Sequence, residues 1–134
     1  MTIFEYPLLI REHHLDTFGH VNNAVYLEIF EEARWEIIAR NGFGMEHIRA
    51  TGLGPVILDI HLTFKHELRL RSKVTVRTQM VSYEGKIAEL KQWITDEKGQ
   101  NCCEALFKVA LFDLKQRKLI PPTPEWLAAL GIKP

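Results

Sequence analysis

One long helical pattern, followed by a series of alternating segments, limits the possible folds more than any other feature of this chain. Over residues 23–40, apolar residues recur at helical spacing and form one stripe. The members of that stripe are Tyr26, Leu27, Phe30, Ala33, Ile37 and Ile38. The sequence predicts Asn22 or Asn23 as the N-cap and Asn41-Gly42 as the C-terminal stop. A helix with one apolar stripe needs one apolar surface to cover it.

The second half of the chain predicts that surface as an antiparallel sheet. Turn residues at 83–86 and 96–99 separate segments of alternating polarity, which favours consecutive hairpins. The predicted strands cover residues 3–11, 56–65, 74–80, 87–95 and 102–114. In the second of these, the residues expected to share one buried side are Val56, Leu58, Ile60, Leu62 and Phe64. Short helical turns are expected at 44–51 and 124–130. The fold class is therefore α+β, with five strands and one long helix.

Length and charge place the chain among ordinary globular proteins. With 134 residues, a single domain over 1–134 is expected. Lysine plus arginine and aspartate plus glutamate both total 17, so nothing in the net charge favours nucleic acid. Neither a signal peptide nor an apolar stretch long enough to span a membrane is evident. The adjacent Cys102 and Cys103 are unsuited to a mutual crosslink, which indicates a reducing, cytoplasmic location.

A polar motif directly before the helix is the candidate reaction centre. It begins at Asp16, passes through Gly19 and His20, and ends at Tyr26. The N–H groups of a helix's first turn have no partner within the helix and favour negative charge. A carboxylate beside them can attack a carbonyl or activate water while those amides hold the developing charge.

These residues resemble a known family. The pattern D-x-x-G-H-V-N-N-x-x-Y, followed by the E-E-A-R of residues 31–34, is similar to the 4-hydroxybenzoyl-CoA thioesterase-like group of hotdog-fold acyl-CoA thioesterases, with the fatty acyl-CoA branch the nearest in appearance. The resemblance implies a five-stranded curved sheet wrapped around the helix, and homodimers or homotetramers with pockets where subunits meet. It also implies an acyl-CoA substrate. A thioester carbonyl is electrophilic and its thiolate is a good leaving group, so neither a metal nor a cofactor is expected.

The resemblance assigns the catalytic role to Asp16, as nucleophile or as general base, and the sequence leaves that choice open. An aspartate here is also a favoured turn residue. The backbone N–H groups of residues 21–24 are candidates for polarising the carbonyl oxygen. The candidate substrate-binding residues, each of which also has a structural interpretation, are Gly19, His20, Val21, Asn22, Asn23 and Tyr26.

The rest of an acyl-CoA is expected to meet basic residues at its phosphates and apolar residues at its acyl chain. The basic residues that are candidates for the coenzyme A phosphates are Lys65, Arg71, Lys73 and Lys86. The family's usual G-D before the third strand is absent, and Arg71-Ser72-Lys73 stands there. The acyl pocket is expected between the helix and residues 53–58. The aromatic or long side chains that either shape its depth or pack in the core are Trp35, Phe43 and Met45. Arg34 is expected to pair with Glu31 or with a neighbouring strand.

Two alternatives to a thioesterase remain open. One is a non-catalytic hotdog module that binds acyl thioesters or mediates assembly. The other is a hotdog hydratase or dehydratase, but the chain lacks the histidine and acid pairing typical of that chemistry. The sequence has no phosphate-binding loop, dinucleotide-binding glycine motif, zinc motif or serine-hydrolase elbow, so these classes of enzyme are poorly supported.

Overall fold

A computed structural model describes residues 2–132, and these residues form six strands and three α-helices. The strands are β1 (Ile3–Leu9), β2 (Leu53–Phe64), β3 (Lys73–Glu84), β4 (Ile87–Thr95), β5 (Asn101–Asp113) and β6 (Lys118–Ile120). The helices are α1 (Asn23–Arg40), α2 (Met45–Thr51) and α3 (Pro124–Ala129), with a 3-10 turn at Glu12–His14.

One antiparallel sheet carries the fold. Its strands lie in the order β1-β3-β4-β5-β2, and β6 pairs with the end of β5. The predicted α+β arrangement of one long helix on an antiparallel sheet is confirmed. All five predicted strands are present, and the three-residue strand β6 is added to them. Pro7 lies in the edge strand β1, where a residue without an N–H is tolerated.

Helix α1 begins and ends where the capping residues predict. The Asn22 side chain accepts a hydrogen bond from the Ala24 N–H at 2.9 Å, which satisfies one first-turn donor. After Asn41, Gly42 takes a φ of +87°, a conformation that favours glycine. The buried residues of α1 are Tyr26, Ile29, Phe30, Ala33 and Ile38. Most of the predicted stripe therefore does face the sheet.

The core lies between α1 and the helix-facing side of β5. The alternate residues on this side of β5 are all buried, and they are Cys103, Ala105, Phe107, Val109 and Leu111. The ring of Phe30 meets that of Phe107 edge to face, with centroids 6.1 Å apart. Burial of a large apolar side chain contributes about 1.5–3 kcal/mol, so this interface is a main source of stability.

Strand β2 departs from the predicted pattern because of a β-bulge between Ile57 and Asp59. Val56 pairs with Ala110, whereas Ile60 pairs with Phe107, so the two β2 residues lie on opposite faces of the sheet. The prediction that Val56 to Phe64 present one continuous apolar side is therefore wrong. The side that faces α1 carries Pro55, Ile57, Ile60, Leu62 and Phe64.

Strand β2 is also more exposed than predicted. Its position at the sheet edge leaves Ile57, Ile60 and Phe64 at 38%, 42% and 52% exposed. A buried apolar side was expected for this strand. The single chain instead presents an apolar strip along the flank of α1.

Candidate active site

A tight turn holds Asp16 directly before α1. Its Oδ1 atom accepts a hydrogen bond from the Phe18 N–H at 2.8 Å, and its carbonyl oxygen accepts one from the Gly19 N–H at 3.2 Å. The Asp16 N–H donates to the His20 carbonyl at 3.0 Å. Gly19 takes a φ of +85°, which a side chain would strain. Within residues 2–132, the second carboxylate oxygen of Asp16 has no hydrogen-bond partner.

Two hydrogen bonds fasten this turn to the rest of the fold. The Val21 N–H donates to the Leu68 carbonyl at 3.1 Å, in the connection between β2 and β3. The Asn22 N–H donates to the carbonyl of the buried His14 at 3.3 Å. The start of α1 is thereby anchored to Leu68, which is distant in sequence, and to His14, which lies on the other side of the Asp16 turn.

The same bonds leave one amide free at the helix start. The Ala24 N–H donates to the Asn22 side chain, and the Val25 N–H donates to the Asn22 carbonyl at 3.0 Å. Among the amides of residues 21–25, only the Asn23 N–H has no acceptor in the described part of the chain. The sequence singled out residues 21–24, and the structure narrows that group of possible donors to one.

A shallow cleft of about 230 Å³ opens beside this amide. Its lining residues are His20, Val21, Asn23, Tyr26, Phe64, Lys65, His66 and Glu67. Four of the predicted substrate-binding residues therefore line one cleft, whereas Gly19 and Asn22 serve the turn and the cap. Asp16 belongs to the adjoining turn and not to the cleft lining.

Side chains across this cleft are ordered by their neighbours. His20 Nε2 lies 3.7 Å from Glu67 Oε1, and the ring of Tyr26 meets that of Phe64 edge to face with centroids 5.2 Å apart. Burial raises the pKa of Tyr26 to about 12, so its hydroxyl stays neutral near neutral pH. Tyr26 is thus suited to forming a cleft wall and not to acting as a base.

The predicted coenzyme A residues are dispersed in the single chain. Lys65 lines the cleft and lies 3.8 Å from a Glu104 carboxylate oxygen. Arg71 pairs with Glu12 at 3.1 Å. Lys73 begins β3, and Lys86 follows the opposite end of that strand, about 35 Å away at the usual rise per residue. One chain therefore brings only Lys65 to the cleft.

A second cavity lies between α1 and the sheet, where the acyl pocket was expected. It encloses about 100 Å³, and both Trp35 of α1 and Ile57 of β2 line it. Phe43 instead packs in the core against Trp126, with ring centroids 4.9 Å apart, and Met45 is 48% exposed. Of the three side chains left open by the sequence, only Trp35 reaches the cavity.

Arg34 also lines this second cavity and pairs with a strand, as expected. Its Nη1 group donates to Gln92 Oε1 of β4 at 2.9 Å. Gln92 is fully buried and was not recognised from the sequence, since one polar residue in an alternating strand gives no signal of its partners.

In the described residues, no group of three or more His, Cys, Asp or Glu side chains is placed to hold a metal ion. No helix within 2–132 is long and apolar enough to cross a membrane.

Comparison with known proteins identifies the family. The model of the thioesterase-like superfamily matches residues 10–130. The chain belongs to this superfamily. Escherichia coli FadM, a long-chain acyl-CoA thioesterase, is 35% identical over 83% of this chain and 84% of its own length.

Solved structures agree with that assignment. Escherichia coli YbaW, a probable thioesterase, is 32% identical with a TM-score of 0.82, covering 94% of this chain and 95% of that one. Staphylococcus aureus SAV2348, solved with CoA, has a TM-score of 0.90 at 18% identity, covering 97% of this chain and 82% of that one. The latter likeness shows the fold alone. The predicted hotdog fold and the predicted class of enzyme, a thioester hydrolase, are both confirmed at the level of the family.

Proposed function

We propose that this protein hydrolyses an acyl-CoA thioester to a carboxylic acid and free coenzyme A, with Asp16 as nucleophile or general base. One observation carries the proposal: a carboxylate with one unengaged oxygen adjoins a helix start that keeps one unengaged amide, at Asn23. FadM, whose sequence is similar over most of both chains, acts on long-chain acyl-CoA. We expect the substrate of this protein to belong to the same chemical class.

The chemistry needs only these two groups and water. The thioester carbonyl oxygen accepts a hydrogen bond from the Asn23 N–H, which is strengthened by the α1 dipole. In one route Asp16 attacks the carbonyl carbon, the thiolate leaves, and water hydrolyses the resulting mixed anhydride to the free acid and the Asp16 carboxylate. In the other route Asp16 removes a proton from a water that adds to the carbonyl carbon, and the tetrahedral intermediate then expels the thiolate. A thiolate is a good leaving group, so the reaction requires no resident metal or cofactor.

The acyl chain lies along the exposed flank between α1 and β2 in this proposal. The apolar residues that face α1 from β2 continue from Phe64, in the cleft, to Ile57, in the second cavity. Along α1, Asn23 and Arg34 are 11 positions apart, or about 16 Å at the usual helical rise. This length suits a medium or long acyl chain.

A second copy of the chain completes the site in this proposal. The apolar strip of β2 is unusual for a free surface, as is Leu106, 47% exposed on the opposite face of the sheet, and both favour a homodimer or homotetramer. Phosphate contacts from the partner would supplement Lys65, the one predicted basic residue at the cleft. Two free, buried cysteines agree with a cytoplasmic location.

The deciding experiment measures thiol release from a chain-length panel of acyl-CoA thioesters, including aromatic ones. Asp16→Asn keeps an oxygen that can accept from the Phe18 N–H, so the turn should persist while the carboxylate is lost. We expect turnover to fall about 10²–10⁴-fold with unchanged folding. Asp16→Ala, which also loses the turn bond, reports the structural role separately.

Two results would contradict the proposal. Near wild-type turnover in Asp16→Asn would leave Asp16 as a turn residue alone. Coenzyme A binding without thiol release from any thioester would favour the non-catalytic binding module.

Because binding through phosphates is screened by ions, we expect coenzyme A affinity to fall with added salt.

A further inference from the structure

The second cavity contains a cation in an otherwise largely apolar wall. Trp35, Ile57 and Met80 contribute apolar surface, and the polar side chains that line it are Glu31, Arg34 and Thr78. An arginine next to apolar surface needs an anion or several acceptors to offset its lost hydration. The contacts of Arg34 therefore decide what the cavity can bind.

Arg34 has few partners of its own. Its guanidinium carbon lies 4.5 Å from the Phe107 ring centroid, and Nη1 donates to Gln92. No residue from 2 to 132 brings a carboxylate oxygen within 4.0 Å of it. Burial lowers the pKa of Arg34 to about 10, which still leaves it charged at neutral pH. The charge of Glu31 partly offsets this lowering, but among the described residues no carboxylate forms an ion pair with the cation.

Gln92 offers Arg34 a single acceptor atom, its Oε1. It is fully buried, and its Nε2 group donates to the Phe30 carbonyl at 3.1 Å and to Thr78 Oγ1 at 2.9 Å. These bonds fix the amide so that Oε1 faces Arg34. A guanidinium has five N–H donors, and the described residues satisfy one of them through this oxygen.

We propose that this cavity binds the carboxylate of an alkyl chain, with Arg34 as its counter-ion. The hydrocarbon lies against the apolar walls, and the carboxylate accepts from the guanidinium N–H groups that have no protein acceptor. Glu31 lines the same cavity, is exposed, and opposes an anion there. Its removal should therefore strengthen binding.

Two molecules carry this chemistry. One is an acyl-CoA that carries a free carboxylate at the end of its acyl chain opposite the thioester. This carboxylate reaches Arg34 when the thioester lies at Asn23. The other is a free fatty acid. The first rests on the proposed function, whereas binding of the second does not.

Tryptophan fluorescence tests the binding directly, because Trp35 and Trp126 both line the cavity. The probes are decanoate and decanol, which share a chain and differ in charge. In the wild type we expect decanoate to bind at least about tenfold more tightly, equivalent to about 1.4 kcal/mol. Arg34→Gln should abolish that preference, and Glu31→Gln should increase it. Arg40→Gln is the matched control, since Arg40 is exposed and pairs with Glu36.

Equal binding of decanol and decanoate, or an unchanged preference in Arg34→Gln, would overturn the proposal. Should Arg34→Gln fail to fold, the wild-type comparison of decanoate with decanol and the Glu31→Gln variant still decide.

Thiol release from ω-carboxyacyl-CoA thioesters and from their unsubstituted counterparts then separates the two sources of the carboxylate. If the wild type prefers the ω-carboxyacyl-CoA and Arg34→Gln loses that preference, the ligand of the cavity is the ω-carboxyacyl-CoA. If decanoate binds but the wild type shows no such preference among thioesters, the ligand is the free fatty acid. If the wild type releases thiol from none of the acyl-CoA thioesters but still binds decanoate, the proposed function is refuted and the carboxylate site is not.

Discussion

Replacement of Gln92 by leucine should destabilise the fold more than any surface change. Gln92 accepts from Arg34 and donates to the Phe30 carbonyl and to Thr78. A hydrogen bond to a charged group contributes about 1.5–3 kcal/mol, and a neutral one about 0.5–1.5 kcal/mol. One charged and two neutral bonds give a loss of about 2.5–6 kcal/mol in the free energy of unfolding. That loss is a large share of the total stability of a typical domain.

Urea unfolding at one fixed protein concentration measures this loss. Fixing the concentration matters because association contributes to the stability of an oligomer. Gln116→Leu is the matched control, since Gln116 is exposed, and its effect should lie within about 0.5 kcal/mol. A loss below about 1 kcal/mol for Gln92→Leu would refute the reasoning, because the three bonds would then contribute almost nothing net.

Three further experiments test other parts of the structure. Asn22→Ala removes the cap on the Ala24 N–H and should cost about 0.5–2 kcal/mol in urea unfolding, whereas Asn22→Asp should retain most of the stability. Ile60→Lys places a charge on the exposed apolar strip of β2 and should shift the light-scattering mass towards the monomer; an unchanged mass would exclude β2 from the interface. Burial raises the pKa of Cys103 to about 12, so iodoacetamide at about pH 8 should label it only after denaturation, and rapid native labelling would contradict its burial.

The elements that could be predicted are those with local signals. Alternation bounded by turn residues predicted β4 to its terminal residues, and Gly85 in the preceding hairpin takes a φ of +60°. Capping residues likewise predicted both ends of α1. In each case the information lies within a few residues of the boundary, so tertiary contacts are not needed to find it.

The features that the sequence could not reveal depend on distant partners. The bulge near Leu58 interrupts a run with apolar residues on both faces, so polarity gives no marker for the change of side. Strand β6 has three residues and exists because β5 offers them a partner. Neither feature has a periodic pattern long enough to detect.

The candidate site shows the same division. The motif at Asp16 located the carboxylate and the helix start, but it did not identify the free amide. That amide is Asn23 because Val21 is engaged by Leu68 and Asn22 by His14, and these contacts form only in the folded chain. Similarly, Arg34 was expected to reach a strand, but only the fold shows that Gln92 gives it a single acceptor.

The position of β2 connects the two ends of the site. Because β2 lies at one edge of the sheet, α1 covers its apolar side only in part, and a strip from Phe64 to Ile57 remains accessible. A central strand would bury that strip and separate the cleft from the second cavity. The edge that must be protected from unwanted pairing is therefore also the surface along which an acyl chain can lie. In the proposed homo-oligomer, a second copy that covers β2 should therefore affect acyl selectivity as well as assembly.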